Sequence, residues 1–257
     1  MTGSTVLLLG DITGKSRIGV RMMTAVLEAC GHDVLALPTA LISNMLKLGK
    51  HCQMDTTAYL LDTLDTWAEL GIEYDLLCAG YITGSAQAQA LCGVLDDARS
   101  RGVRAVVDPI LGDGGRMYDS VSQDQAQGMR QLCCHADIIT PNMTEACLLA
   151  GEPCVSAMEE ERLFALAERL GEGAHSVLIT SAATPQGIHA IAGIDRERGE
   201  RVFLPYEAVA GRHYGTGDRF TALLIDGLLA GRSLGDAARA AGDGVLEMIL
   251  RHAHEND

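Results

Sequence analysis

Gly215-Thr216-Gly217-Asp218 stands directly ahead of a strongly helical stretch. Two glycines let a backbone approach a ligand closely. The amides of the first helical turn point at that ligand, and the helix dipole favours negative charge there. Gly215, Thr216 and Gly217 are therefore candidates for an anion hole. An aspartate in the same turn is placed to take a proton from a substrate hydroxyl as its oxygen attacks phosphorus. Asp is also a preferred N-cap residue, so capping is the second reading of Asp218.

Three further segments hold groups suited to phosphate chemistry. Asp108-Pro109 is followed by Asp113 and the Gly-rich run 112–120. Carboxylates beside phosphates commonly serve Mg²⁺, which prefers oxygen ligands and keeps several waters. Gly112, Gly114 and Gly115 with Met117-Tyr118 suit a flap over nucleotide that excludes water as a competing acceptor; a plain Asx-Pro turn is the alternative. Thr140-Pro141-Asn142-Met143-Thr144-Glu145 places a hydroxyl, an amide and a carboxylate at a strand-to-helix junction. Its alternative reading is a helix start capped by Thr144, with Glu145 favouring the dipole. Gly10 to Ser16 resembles the P-loop, G-x-x-x-x-G-K-[ST], but one residue short, and a P-loop also requires a helix beginning at Lys15.

Those segments need a scaffold. Strand patterns at 5–10, 33–37, 76–79, 103–107, 137–140 and 177–180 alternate with helix patterns at 18–30, 56–70, 85–101, 123–134, 144–150 and 158–170. Pro38 is expected to end the second strand, Ser85 to cap its helix, and 39–54 to be a loop. Residues 188–192 and 201–204 flank a turn at 195–199 and read as a hairpin. Helices from 217 to 229 and from 234 to about 252 complete the chain. This alternation predicts one α/β domain over 1–257, a mostly parallel sheet with helices on both faces. Ligands in such sheets bind beyond the carboxyl ends of the strands. Asp11, Gly80-Tyr81, Asp108, Thr140 and Thr180-Ser181 all fall at such ends.

Composition excludes other classes. Hydrophobic residues make up 47% and aromatics 4%, so the core must be aliphatic. A net charge of −14 with no basic stripe argues against nucleic acid. No window approaches a membrane span of roughly 20 apolar residues, and no signal-peptide pattern opens the chain. A cytoplasmic protein is expected. The eight cysteines form no CxxC pair, most sit among apolar neighbours, and they read as free thiols. The histidines show no metal-ligand spacing, which excludes a zinc enzyme.

Taken together, the motifs resemble the pyridoxal and pyridoxamine kinase family of the ribokinase-like superfamily, in order and over nearly the whole chain. DPILGD at 108–113 resembles that family's DPVxGD, ADIITPNMTE at 136–145 its ADIITPNxxE, and GTGD at 215–218 its catalytic-base motif. Gly80-Tyr81, Met117-Tyr118 and Thr180-Ser181 match in register, as do Gly19, Arg21, Gly31, Ser43 and Asn44. The resemblance implies a three-layer α/β/α sandwich, usually a homodimer, using ATP and Mg²⁺ with room for a monovalent cation such as K⁺. It implies Asp218 as base, and Asp108, Asp113, Thr140 and Glu145 around the cations. Asn142, Thr180, Ser181 and Tyr118 would serve ATP. Asp11, Ile18, Thr39, Ser43, Met45, Leu46 and Tyr81 would line the substrate pocket. Here Met45 and Leu46 replace the family's His and Thr ring contacts, and Asp11 stands where many members carry Ser. The implied reaction is phosphorylation of the 5′-hydroxymethyl group of a B6 vitamer. A hydroxymethylpyrimidine kinase, another small-molecule kinase of the superfamily, and an inactive binding homologue are the alternatives.

Overall fold

The computed structural model describes residues 3–16, 18–45, 48, 50–172, 176–209, 211 and 213–254. The first strand, β1 (Thr5–Lys15), opens on an aliphatic run in which alternate side chains leave on opposite faces. Leu7 and Leu9 enter one core, Val6 and Leu8 the other. Burial on both faces is what a central parallel strand requires. Helix α1 (Val20–Ala29) leads to β2 (Asp33–Asn44), and β3 (Gln53–Asp55) turns back along its outer edge. Then come α2 (Thr57–Glu69), β4 (Leu76–Ala79), α3 (Ser85–Ser100) and β5 (Arg104–Val107). A two-stranded hairpin, β6 (Gly112–Asp113) with β7 (Arg116–Met117), precedes α4 (Gln123–Cys133), β8 (Ile138–Ile139), α5 (Met143–Ala150) and α6 (Glu160–Leu170). The chain ends with β9 (Ser176–Ala183), β10 (His189–Asp195), β11 (Glu200–Tyr206), α7 (Thr216–Leu229) and α8 (Leu234–His254).

Nine strands form one sheet in the order β11-β10-β9-β8-β5-β4-β1-β2-β3. From β9 to β2 every pair is parallel, while β10, β11 and β3 run antiparallel at the two edges. Helices α2 to α6 cover one face, with Leu60, Leu91, Leu95, Met129 and Leu163 in the core. Helices α1, α7 and α8 cover the other. This is the three-layer α/β/α arrangement expected from the alternation.

Several local expectations give way. Pro38 does not end β2; the strand runs on to Asn44. Proline has no N–H for the ladder, and the register slips beside it: Gly10 faces Pro38 but Asp11 faces Ala40, which leaves Thr39 as the bulged residue. The segment 39–54 is thus strand at both ends rather than loop. Ser85 does not cap α3: Gly84 holds that position, and Ser85 instead bonds Asp124 through its N–H (2.9 Å) and hydroxyl (2.5 Å). The P-loop reading fails because residues 10–15 lie inside β1, paired with β2, and no helix begins at Lys15. All eight cysteines are free; Cys78, Cys92, Cys133 and Cys147 are buried, whereas Cys30, Cys52 and Cys134 are exposed, so fewer are inside than their apolar neighbours suggested.

Candidate active site

Helix α7 starts under Gly215, whose φ of 78° is the left-handed conformation that glycine adopts at little cost. Asp218 lies in the first turn. Its carboxylate accepts a hydrogen bond from the Gly19 N–H at 2.9 Å, so it looks away from its own helix, and the capping reading does not hold. Gly19 has to be glycine for two reasons: its φ is 58°, and a Cβ there would sit 2.8 Å from Asp11 Oδ1. Two distant segments therefore close on one carboxylate, the turn before α1 and the start of α7.

Asp108 follows β5 and Asp11 lies in β1 beside it in the same cleft. Thr221, one helical turn beyond Asp218, donates to Asp108 Oδ2 at 3.0 Å and lies 3.3 Å from the hydroxyl of Thr140. Asp11 is buried, and Thr13 donates to it at 2.7 Å. Burial, and then the charge of Asp218, push Asp108 up to about 7. Burial also pushes Asp218 up to about 6, opposed by the Gly19 N–H and aided by Asp11. Burial raises Asp11 as well, against the pull of Thr13. Gathered carboxylates with raised proton affinity are common at functional sites. A cavity of about 10 Å³ lies among them, lined also by Gly80, Tyr81 and Ile110.

The Thr140–Glu145 segment is built differently from expectation. Asn142, not Thr144, caps α5, in a reciprocal capping box with Glu145. One Glu145 oxygen accepts from Asn142 N (2.8 Å) and the other from Leu111 N (3.1 Å). Both oxygens thus hold backbone, and burial, then Asp108, drive the Glu145 carboxyl well above its usual range. Asn142 Nδ2 donates to Gly112 O (2.8 Å), and Gly115 N donates to Thr144 Oγ1 (2.9 Å). The β6–β7 hairpin is therefore tethered to α5. Asp113 is exposed and accepts from Gly114 N (2.7 Å). Among the described residues no three His, Cys, Asp or Glu side chains converge on one metal position. The oxygen-only set of Asp108, Thr140 and Thr221 nonetheless suits a hard cation that takes most of its shell from phosphate and water. A dication would also relieve the crowding of charge at Asp108.

Tyr81 is 2% exposed. Its hydroxyl donates to Gln53 Oε1 (3.0 Å) and accepts from Gln125 Nε2 (3.0 Å). Thr39 is fully buried and donates to Tyr81 O (2.6 Å), so it braces Tyr81 rather than facing the cleft. Ser181 accepts from Met143 N (3.3 Å), Thr180 N donates to Pro141 O (2.9 Å), and the Tyr118 hydroxyl is pushed up by burial and by Glu145. Ser43 is exposed and bonds Asn44 and Cys52 at the end of β2; Ile18 and Met45 are half-buried, and Leu46 lies outside the described residues. Sequence reasoning placed Gly19 in register without its contact to Asp218, and it missed Thr221, Gln53 and Gln125. Only Thr221 left a signal, its i+3 spacing from Asp218 on one helix face.

A family model described as phosphomethylpyrimidine kinase matches residues 39–256. The pyridoxine/pyridoxal/pyridoxamine kinase of Bordetella bronchiseptica is 31% identical over 91% of this chain and 84% of its own. Among solved structures, a Bacteroides thetaiotaomicron protein crystallised with pyridoxal superposes with a TM-score of 0.87 at 28% identity, covering 95% of this chain and 87% of that one. The pyridoxal kinase of Lactobacillus plantarum gives 0.85 at 28% identity over 99% and 90%. The fold is accordingly ribokinase-like, and the chain belongs to the phosphomethylpyrimidine kinase family, as an ATP-dependent kinase whose relatives include the pyridoxal kinases.

Proposed function

We propose that this chain transfers the γ-phosphoryl group of ATP to the 5′-hydroxymethyl oxygen of pyridoxal, pyridoxamine or pyridoxine. The observation that carries this reading is Asp218, aimed off the start of α7 by the Gly19 N–H, with Asp11 and Tyr81 in the same cleft. Asp218 takes the hydroxyl proton as oxygen attacks phosphorus. The amides of Gly215, Thr216 and Gly217 receive the charge that develops on the transferring group. Asp11 faces the ring nitrogen in its protonated form, and Tyr81, held on both sides by glutamines, flanks the ring. Asp108 and Thr140 would hold the Mg²⁺ that accompanies ATP, with Asp113 on the outer side, and the ion would draw charge from the phosphates. Glu145 and Asn142 act by holding the β6–β7 hairpin, and Thr180, Ser181 and Tyr118 line the nucleotide side.

The nine-stranded sheet supports treating 1–257 as a single kinase domain. Among the described residues no helix is long and apolar enough to cross a membrane. Free thiols and a need for ATP fit the cytosol, and the exposed apolar edge at β3 suits a homodimer.

Hydroxymethylpyrimidine kinase is the second reading, favoured by Met45 at the end of β2, where a ring-contacting His is absent. A screen of B6 vitamers and hydroxymethylpyrimidine with Mg·ATP separates the two. Turnover on a B6 vitamer is the expected result. Turnover on the pyrimidine alone replaces the substrate and keeps the chemistry.

A further inference from the structure

At the end of the sheet opposite Asp218 lies a cleft of about 790 Å³, formed where β5, β8 and β9 begin and where α7 gives way to α8. Its volume lies within the range of roughly 300–1,000 Å³ typical of small-molecule sites. Five arginines line it: Arg99, Arg104, Arg196, Arg198 and Arg232. The whole chain has 20 Lys and Arg against 34 Asp and Glu, so this concentration runs counter to the overall charge.

The acids of the cleft are already engaged. Asp137 takes the Arg99 guanidinium (3.4 Å) and the Ala105 N–H (2.7 Å), and Glu197 pairs with Arg104 (3.2 Å). Asp195, 4% exposed, accepts from Arg198 N (3.2 Å), and Ser176, 6% exposed, accepts from Arg196 N (3.0 Å). Those two buried acceptors fix the β10–β11 turn, so the backbone carrying Arg196 and Arg198 is set before any ligand arrives. The guanidinium groups of Arg198 and Arg232 have no ion pair or hydrogen bond among the described residues.

We propose that this cleft binds a small phosphorylated compound of nucleotide size, with Arg198 and Arg232 gripping its phosphate. Planar guanidinium forks match phosphate oxygens in pairs, which a point charge does not. A concave site in a chain of net charge −14 suits a compact anion rather than an extended nucleic acid.

Calorimetric titration with inorganic pyrophosphate tests the proposal, comparing the wild type with Arg198→Glu/Arg232→Glu. The wild type should show a saturable site that the double variant lacks or binds at least about tenfold more weakly, as expected for loss of charge-assisted hydrogen bonds. Both residues are exposed and lie outside the kinase site, so melting temperature and Mg·ATP turnover should be unchanged. Should the charge reversal disturb folding, Arg198→Gln/Arg232→Gln gives the same comparison. An isotherm identical in wild type and variant overturns the proposal, because any pyrophosphate bound is then in the catalytic cleft; so does the absence of saturable binding in the wild type.

Discussion

At the scale of single residues, the site concentrates carboxylates that protein and neighbours make reluctant to ionise, and each has a distinct measurable consequence. Asp218→Asn keeps an oxygen for the Gly19 N–H but cannot take a proton, so kcat should fall by about 10²–10⁴ while ATP affinity stays within a few-fold. Single-turnover kinetics with equilibrium nucleotide binding check this; near-native turnover would remove Asp218 from the base role. The same residue sets a pH limb. Its carboxyl is raised to about 6, so it is protonated and idle below that value, and kcat/KM should drop as pH falls through about 6. A flat profile between pH 5 and 7 would contradict it. Asp108 gives a stability test of opposite sense. Its folded value of about 7 lies above the ordinary 3.8, so the folded state holds its proton longer than the unfolded chain does. Stability is then lost as pH rises from about 4 to about 7. Asp108→Asn removes that loss and keeps the Thr221 contact, so the metal-free variant should melt higher than wild type at pH 8, with a smaller gain at pH 5, while catalysis suffers. Equal melting curves at pH 8 would mean that Asp108 is not held against ionisation.

Elements show which parts of this were legible in the chain and which were not. The aliphatic strands and amphipathic helices write their periods directly, so the parallel core and its ligand-binding end followed from alternation. The bulge at Thr39 did not, because proline's usual role is to end a strand, and only pairing with β1 carries β2 past it. The partners of Tyr81 come from β3 and α4, 28 and 44 residues away, and no local pattern joins them. Glu145 shows the limit most clearly. Its place in ADIITPNMTE marked it for the cations, but nothing local announced that its two oxygens accept from the amides of Asn142 and Leu111, and we propose that it acts through α5 and the β6–β7 hairpin. Glu145→Ala should therefore destabilise the fold by about 1–3 kcal/mol, as loss of a buried partner does, and raise the KM for ATP by loosening the hairpin. Asp113→Ala, at an exposed position, should leave the melt unchanged and raise the Mg²⁺ concentration for half-maximal rate. Thermal melts and Mg²⁺ titrations of the two variants separate the roles. The assignment fails if Glu145→Ala shifts only the Mg²⁺ requirement.

For the molecule as a whole, the question is what covers the β3 edge. Its three residues are all exposed, and at this edge Leu41, Met54 and Tyr59 are 42%, 61% and 59% exposed. An open strand edge flanked by large apolar side chains is a ready surface for another chain. We propose that a second copy covers it: an isologous pair would bring Met54 and Tyr59 of one protomer against the same patch of the other. Charge opposes the pairing: each chain carries −14, so two copies repel, and the repulsion is screened within about 10 Å at 0.1 M salt. Association should therefore tighten as salt rises, the reverse of a dimer held by ion pairs. Light scattering should give about twice the 27.3 kDa chain mass at 0.3 M salt and a smaller average at 0.02 M. Met54→Glu/Tyr59→Glu places two new carboxylates per chain on the patch. It should give monomers at both salt concentrations, with the melt of each protomer nearly unchanged, because neither side chain enters the core. A dimer that survives the double substitution uses another surface, and a wild type monomeric at 0.3 M salt and tens of micromolar protein shows that the β3 edge is left open.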